Sequence, residues 1–191
     1  MADQADGLLS PFLRQRRMRI ALPWMRSSVL DFGCGVGALA KYVAPRRYIG
    51  VDQDADSLNE AKTRFPEHRF EMVTDFSIWV SRPQIEKFDT IVMLAVIEHL
   101  KKPQAVLRNL SRMLTKEGRF VLTTPCPYFE KLYTSGTKLG LFSKHANEEH
   151  ETLVDFERMT TIAEGCDLRV STYKRFLLWA NQLFVLTKKG G

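Results

Sequence analysis

The sequence predicts an α/β domain built on a doubly wound sheet of seven strands, mostly parallel, with an antiparallel hairpin at its C-terminal end. Three observations favour this fold. A short apolar strand runs into a glycine-rich turn at 29–37, and apolar stretches then alternate with amphipathic helical stretches. Only a few residues, around 179–181, join the last two predicted strands. Because so short a link leaves no room for a crossover helix, that final pair must be antiparallel.

The strands are predicted from short apolar runs that end in polar residues. The predicted strand positions are 29–31, 48–51, 69–74, 88–94, 119–123, 168–176 and 183–188. The third of these is followed by Asp75.

Helices are predicted between these strands from capping residues and apolar spacing. An arginine-rich helix is expected between Pro11 and Pro23, and Asp54 is a good N-cap for the helix after the second strand. Pro103 opens another helix, and a last one extends from Asp155 to Gly165. A helix is also expected to begin near Val36, and Gly118 is expected to end the connection into the fifth strand.

Composition indicates one globular domain of ordinary character. The chain has 191 residues, of which 45% are hydrophobic, and a formal net charge of +6, which we interpret as an unevenly charged surface rather than a nucleic-acid or membrane footprint. The spacing of the three cysteines fits neither a disulfide framework nor a metal-binding motif; they are Cys34, Cys126 and Cys166. We therefore expect reduced thiols, a cytoplasmic protein and no bound metal. No apolar run is long enough for a membrane span, no signal peptide is apparent, and no sequence feature indicates an oligomeric state.

The glycine-rich turn reads Val-Leu-Asp-Phe-Gly-Cys-Gly-Val-Gly from 29 to 37. Its alternating glycines, Gly33, Gly35 and Gly37, allow a tight turn and a close approach of backbone to ligand. Asp31 stands two residues before the first glycine, where it would repel a diphosphate but suit an adenosyl ligand with a cationic amine. The glycines and Ala38 also fit the loose dinucleotide fingerprint, so a nicotinamide oxidoreductase is an alternative, which Asp31 and the terminal hairpin disfavour.

The turn resembles motif I of the class I S-adenosylmethionine-dependent methyltransferases, which have a Rossmann-like fold. The resemblance implies that Asp31 lies near the amino group of the cofactor and that Asp52 accepts hydrogen bonds from both ribose hydroxyls. Asp75 would then bind the adenine amino group. The implied cofactor-binding residues are Asp31, Gly33, Cys34, Gly35, Gly37, Asp52, Gln53 along one face of the adenine, Asp75, Phe76 through its amide, and Leu94 at the end of the fourth strand.

The single domain, 1–191, is expected to have four parts, and the resemblance covers the chain from Val29 onward. These are an N-terminal helical cap (1–27), a cofactor-binding half (28–124), an insertion that acts as a lid or contacts substrate (125–154), and a C-terminal helix with the hairpin (155–191).

The residues after the fourth strand help to identify the kind of molecule that would accept the methyl group. They read Leu-Ala-Val-Ile-Glu-His-Leu at 94–100 and lack the Asp/Asn-Pro-Pro-aromatic motif of enzymes that methylate amino groups of bases or glutamine. They resemble instead the small-molecule branch that includes ubiquinone- and menaquinone-type methyltransferases. His99 is the candidate general base, although Glu98 and His99 could simply cap and pack the next helix, which we favour.

Two other groups of residues are candidate reactive sites. Cys126 follows the fifth strand, but the second Pro-Cys that a cytosine-5 RNA methyltransferase needs is missing, so we interpret it as a turn residue. His145 and His150 are candidate substrate-binding residues; their spacing is compatible with metal ligation, although solvated loop charge is the favoured interpretation.

The predicted function is therefore methyl transfer from S-adenosylmethionine to a small molecule, with a hydroxyl oxygen as the expected acceptor and no nucleic-acid partner. The alternatives are an RNA or protein methyltransferase, which the positive charge favours, and a non-catalytic protein that binds the cofactor.

Overall fold

A single seven-stranded sheet organises the chain, in the spatial order β3-β2-β1-β4-β5-β7-β6. The computed structural model describes residues 10–81, 86–127 and 154–190. The strands are β1 (Val29–Phe32), β2 (Tyr48–Asp52), β3 (Arg69–Met72), β4 (Phe88–Leu94), β5 (Leu114–Pro125), β6 (Leu168–Phe176) and β7 (Asn181–Lys188). The first five strands are parallel, whereas β7 is antiparallel to both β5 and β6. The predicted fold class is confirmed.

Helices cover both faces of the sheet. They are α1 (Ser10–Ala21), α2 (Ala55–Arg64), α3 (Phe76–Ser81), α4 (Pro103–Ser111) and α5 (Phe156–Glu164). The side chains of β1 alternate between the faces, so that Val29 joins a core with α1 and α2 while Leu30 and Phe32 join a core with α3, α4 and α5. Asp54 caps α2 and Asp155 caps α5, each accepting backbone N–H groups of its first turn, as predicted.

The helix expected near Val36 does not form, and that prediction is wrong. Gly37 has a φ of +69°, which is incompatible with an α-helix, and Pro45 follows soon after. The chain makes tight turns and then a single 3₁₀ turn over Ala40–Tyr42, with bonds such as that from the Tyr42 N–H to the Leu39 carbonyl (3.0 Å). The glycine turn is therefore not backed by a full helix dipole.

The fifth strand also begins earlier than predicted. Gly118 lies inside β5 instead of ending the connection before it. The register of β4 with β5 shifts between Phe88 and Thr90, and a Cβ on Gly118 would lie 2.9 Å from the Phe88 carbonyl oxygen. Glycine therefore permits the close backbone approach at this irregularity.

The side chain of Gln182 binds the backbone on both sides of residues 128–153. Gln182, in β7, is 1% exposed. Its Nε2 donates hydrogen bonds to the carbonyl oxygens of both Pro125 and Val154, and its Oε1 accepts one from the Tyr173 hydroxyl (3.3 Å). Gln182 thus fixes the positions of the end of β5 and the approach to α5.

No helix in the described part of the chain combines the length and the apolar character that crossing a membrane requires.

Candidate functional site

The predicted cofactor residues gather at the carboxyl ends of the central strands. The strand order changes direction between β1 and β4, and open α/β sheets bind ligands in the crevice at such a switch point. The glycine turn follows β1 there. The backbone N–H groups of Gly33 and Cys34 both donate to the Val51 carbonyl of β2, at 2.8 and 3.0 Å, so the turn is fastened to the neighbouring strand.

The three glycines of the turn serve different purposes. All three have positive φ, at +78° for Gly33, +50° for Gly35 and +69° for Gly37. A Cβ on Gly33 would come within 2.5 Å of Val96, and one on Gly37 within 2.8 Å of Phe70, so these two allow close packing. A Cβ on Gly35 would meet nothing within 4 Å. Gly35 therefore faces the open space in which a ligand could approach the backbone.

The half-buried Asp52 carboxylate braces the turn from the end of β2. Its Oδ2 accepts the Gly35 N–H at 2.6 Å, and its Oδ1 accepts the N–H groups of Gln53 (2.7 Å) and Asp54 (3.0 Å). A carboxylate offers roughly four acceptor positions, so these bonds leave about one, on Oδ2, for a ligand hydroxyl. That arrangement fits one hydrogen bond to a ribose more readily than the two that the resemblance implied.

Asp31 is the second acidic residue at this edge, and it is 3% exposed. The Tyr48 hydroxyl donates to its Oδ2 at 2.7 Å. Burial raises the pKa of Asp31 to about 7, the hydrogen bond from Tyr48 opposes that rise, and the charge of Asp52 adds to it. A cation placed beside this carboxylate would stabilise its charged form.

Sequence reasoning missed the surroundings of Asp31. Gly50 lies opposite Asp31 in the paired strand, and a Cβ there would lie 2.9 Å from the Tyr48 hydroxyl and 2.9 Å from the Cys34 sulfur. Gly50 thus makes room for the buried group formed by Asp31, Tyr48 and Cys34. The available signal was a glycine inside a buried apolar strand beside an acid-ended strand.

Neither cysteine near this edge has the properties of a nucleophile. Burial, together with the charges of Asp31 and Asp52, raises the pKa of Cys34, so its thiol stays protonated. Cys126 is buried, and its backbone N–H donates to the Ala180 carbonyl at 2.9 Å. All three cysteines are free thiols, in agreement with the prediction of reduced cysteines.

The remaining predicted cofactor residues continue the same edge. Asp75 follows β3 and caps α3, its carboxylate accepting the Ile78 N–H at 3.3 Å. Phe76 begins α3, and its ring centroid lies 4.2 Å from that of Phe32. Gln53 is exposed and Leu94 is half-buried. The structure therefore brings every predicted cofactor residue to one edge of the sheet.

The turn after β4 separates Glu98 from His99. Both lie in a 3₁₀ turn, Ile97–His99, in which Glu98 is 1% exposed while the His99 side chain is exposed. Arg17 of α1 approaches from the other side, donating from Nε to Asn181 at 2.9 Å. Burial lowers the pKa of Arg17 and the charge of Glu98 opposes that effect, so the two groups lie in each other's electrostatic field. Sequence reasoning did not identify this electrostatic interaction.

Two predicted substrate residues, His145 and His150, lie outside the described residues. Within 10–81, 86–127 and 154–190, no group of three or more His, Cys, Asp or Glu side chains is placed to hold a metal ion.

Comparison with known proteins places this arrangement among methyl-transferring proteins. Residues 30–120 match a family model described as a methyltransferase domain. The chain is 30% identical over 104 residues to a ubiquinone biosynthesis O-methyltransferase of Glaesserella parasuis, covering 50% of this chain and 44% of that protein. It is 26% identical over 174 residues to a malonyl-[acyl-carrier protein] O-methyltransferase of Brevibacillus brevis, covering 80% and 59%. The chain thus spans about half the length of these relatives.

The fold is shared with a solved structure over nearly the whole chain. The magnesium protoporphyrin IX methyltransferase of Synechocystis, crystallised with bound SAH, superposes with a TM-score of 0.70 at 17% identity. The match covers 98% of this chain and 90% of that one.

Proposed function

We propose that the chain is a class I S-adenosylmethionine-dependent methyltransferase that transfers a methyl group to a hydroxyl oxygen of a small molecule. The observation that carries the proposal is the edge described above. The open space over Gly35 lies at the edge of the sheet that also holds Asp31 of β1, Asp52 at the end of β2 and Asp75 after β3, and such a group of carboxylates suits a cationic adenosyl ligand.

The proposed binding roles follow from the charge of each side chain and from the acceptor positions that its bonds within the protein leave available. Asp31 has a buried carboxylate that a ligand ammonium group would hold in its charged form. Asp52 has about one acceptor position for a ribose hydroxyl, and Gln53 and Phe76 border the place proposed for the adenine. Asp75, at the start of α3, is the proposed partner of the adenine amino group.

The proposed reaction asks the protein mainly to bring two reactants together. When bound, S-adenosylmethionine supplies an electrophilic methyl group on a sulfonium centre. The chain's own residues orient the acceptor and exclude water, and such positioning can contribute roughly 7–11 kcal/mol to lowering a barrier. We place the acceptor over the ends of β4 and β5, where the exposed His99 would remove the hydroxyl proton. The names of the O-methyltransferase relatives support oxygen as the acceptor. We also propose a cytoplasmic location, which the three free thiols favour.

The first test is the choice of cofactor. We expect calorimetry to show binding of S-adenosylmethionine and S-adenosylhomocysteine (SAH) with dissociation constants of roughly 1–100 µM and no binding of NAD. Tight binding of NAD with no response to SAH would contradict the proposal. Transfer of labelled methyl groups into a fractionated extract then separates small molecules, RNA and protein as acceptors. Binding of SAH without transfer into any fraction would indicate a non-catalytic protein.

The second test is the replacement of Asp52. Asp52→Ala should weaken SAH binding by about 1.5–3 kcal/mol, because a charge-assisted bond to the ribose is lost and the Gly35 N–H loses its acceptor. Calorimetry at constant pH measures this change. Asp56→Ala removes an exposed carboxylate from the first turn of α2 and serves as the matched control, with affinity unchanged. Equal affinity in both variants would mean that Asp52 does not contact the ligand.

A further inference from the structure

The turn between β6 and β7 exposes large apolar side chains on an unusual backbone. Leu178 is 93% exposed and Trp179 is 68% exposed. Leu177, Leu178 and Trp179 have consecutive φ values of +53°, +51° and +69°, a conformation that bulky side chains rarely adopt. We call Leu177–Trp179 the hairpin tip. The hairpin therefore holds two apolar groups out in water on a backbone that asparagine or glycine would suit better.

Cationic side chains border the hairpin tip. The Arg175 guanidinium lies 5.9 Å from the centre of the Trp179 ring, and the Lys174 ammonium lies 5.1 Å from the centre of the Trp24 ring. Helix α1 reaches the base of the hairpin through the bond from Arg17 to Asn181. It also carries the exposed Arg14, whose charge acts on Arg17, so basic side chains accompany the apolar groups of the hairpin.

We propose that the hairpin tip docks on an anionic lipid surface, with Leu178 and Trp179 entering the interface between headgroups and acyl chains. Tryptophan is favoured at that depth, and neighbouring lysine and arginine side chains are attracted by anionic headgroups. The nearby N-terminal turn of α5 adds two acidic residues, Asp155 and Glu157, so the attraction should be moderate and sensitive to salt.

Two other occupants fit the hairpin tip less well. A single-stranded RNA could stack on Trp179, but it would leave the aliphatic Leu178 in water. A second copy related by a two-fold axis through the tip would bring two Arg175 side chains towards each other, which is unfavourable.

The hairpin tip lies at the same edge of the sheet as the candidate site. Asn181 pairs with both Phe176 and Pro125, so the hairpin tip lies at the carboxyl edge of the parallel strands, the edge that holds the candidate site. A protein docked in this way would present that edge to the lipid surface, where an acceptor dissolved in the membrane is concentrated. The docking itself goes beyond the proposed function and does not depend on it.

The test is sedimentation of the full chain with phosphatidylcholine vesicles, with and without phosphatidylglycerol. We expect binding to the anionic vesicles that falls with added salt, and a drop of about tenfold or more in the partition coefficient for the double variant Leu178→Asn and Trp179→Asn. Asparagine tolerates positive φ, so this variant should fold, and circular dichroism checks that it does. Lys174→Gln with Arg175→Gln should reduce the preference for anionic vesicles.

A matched control removes exposed apolar groups near β3, the outermost strand on the side of the sheet away from the β6–β7 hairpin. Met72 and Ile78 are 55% and 58% exposed, and their replacement by serine should leave vesicle binding unchanged. Absence of wild-type binding, or equal binding by the tip variant, would overturn the proposal. Two other results would also overturn it, provided that the tip variant abolishes them while it still binds vesicles. One is binding of a single-stranded oligoribonucleotide, and the other is a concentration-dependent dimer in sedimentation velocity.

Discussion

Asp31→Asn is expected to stabilise the protein at pH 8 while weakening its binding of SAH. The pKa of Asp31 is raised to about 7 by burial, whereas an unfolded chain holds this group near its ordinary value of about 3.9. Between these values the folded state keeps a proton that the unfolded state has released, so Asp31 lowers the stability progressively as pH rises towards 7. The asparagine carries no charge and can still accept the hydrogen bond from Tyr48. The gain in the free energy of unfolding at pH 8 should reach up to about 4 kcal/mol, and it should shrink as the pH falls to 5.

Urea unfolding at pH 5 and pH 8 measures the stability, and calorimetry measures the affinity. The loss of affinity should be roughly 1.5–3 kcal/mol, the range for a charged hydrogen-bonding partner. Wild-type affinity should rise with pH up to about 7, since the ligand ammonium needs the ionised carboxylate, whereas the variant should show no such rise. Tyr48→Phe is the matched variant: it removes the donor to Asp31 and should move this pH dependence upward. A variant that is less stable than the wild type at pH 8 would refute the assignment of a buried, costly charge.

His99→Ala should lower the rate of methyl transfer by about 10²–10⁴-fold, the usual contribution of a general base, with the affinity for SAH unchanged. The exposed position of His99 at the end of β4 makes it accessible to an acceptor hydroxyl. The rate is measured with the acceptor fraction identified by label transfer. Lys101→Ala, a change at an exposed residue two positions after His99 and outside its 3₁₀ turn, is the control and should keep the wild-type rate.

The pH profile separates a base from a packing residue. If His99 is the base, the rate lost by the variant should be recovered at high pH, where the acceptor hydroxyl ionises unaided. A loss that persists at high pH would indicate that His99 positions the acceptor. A lower melting temperature with a nearly normal rate per folded molecule would leave His99 as a packing residue of the turn, the interpretation that the sequence favours.

Local patterns predicted most of the fold because they act over a few residues. Asp54 and Asp155 cap their helices as expected, since an N-cap needs only the N–H groups of the next turn. The antiparallel hairpin followed from the length of its link. The helix near Val36 does not form, since Gly37 has a positive φ and lies so close to Phe70 that a Cβ would not fit, and no local pattern reveals that tertiary contact.

The candidate site was predictable in outline and not in its buried contacts. Its acidic residues lie at strand ends, so the parallel order of the strands was enough to bring them together. The bond between Tyr48 and Asp31 depends on the register of two strands and on Gly50 leaving space between them. The electrostatic effect of Glu98 on Arg17 depends on how α1 packs against the sheet. Both are tertiary features, and they are the ones that set the electrostatics of the site.

The bridge made by Gln182 has a consequence for how this chain can change. Because its amide binds the carbonyls of both Pro125 and Val154, the two ends of the stretch between these residues are held close together. The entropy of closing such a stretch grows slowly, by about 0.6 kcal/mol for each doubling of its length. A change in the number of residues between Pro125 and Val154 should therefore cost the sheet little free energy. Gln182 makes this pair of positions a natural junction at which a different segment can be grafted onto an unchanged sheet.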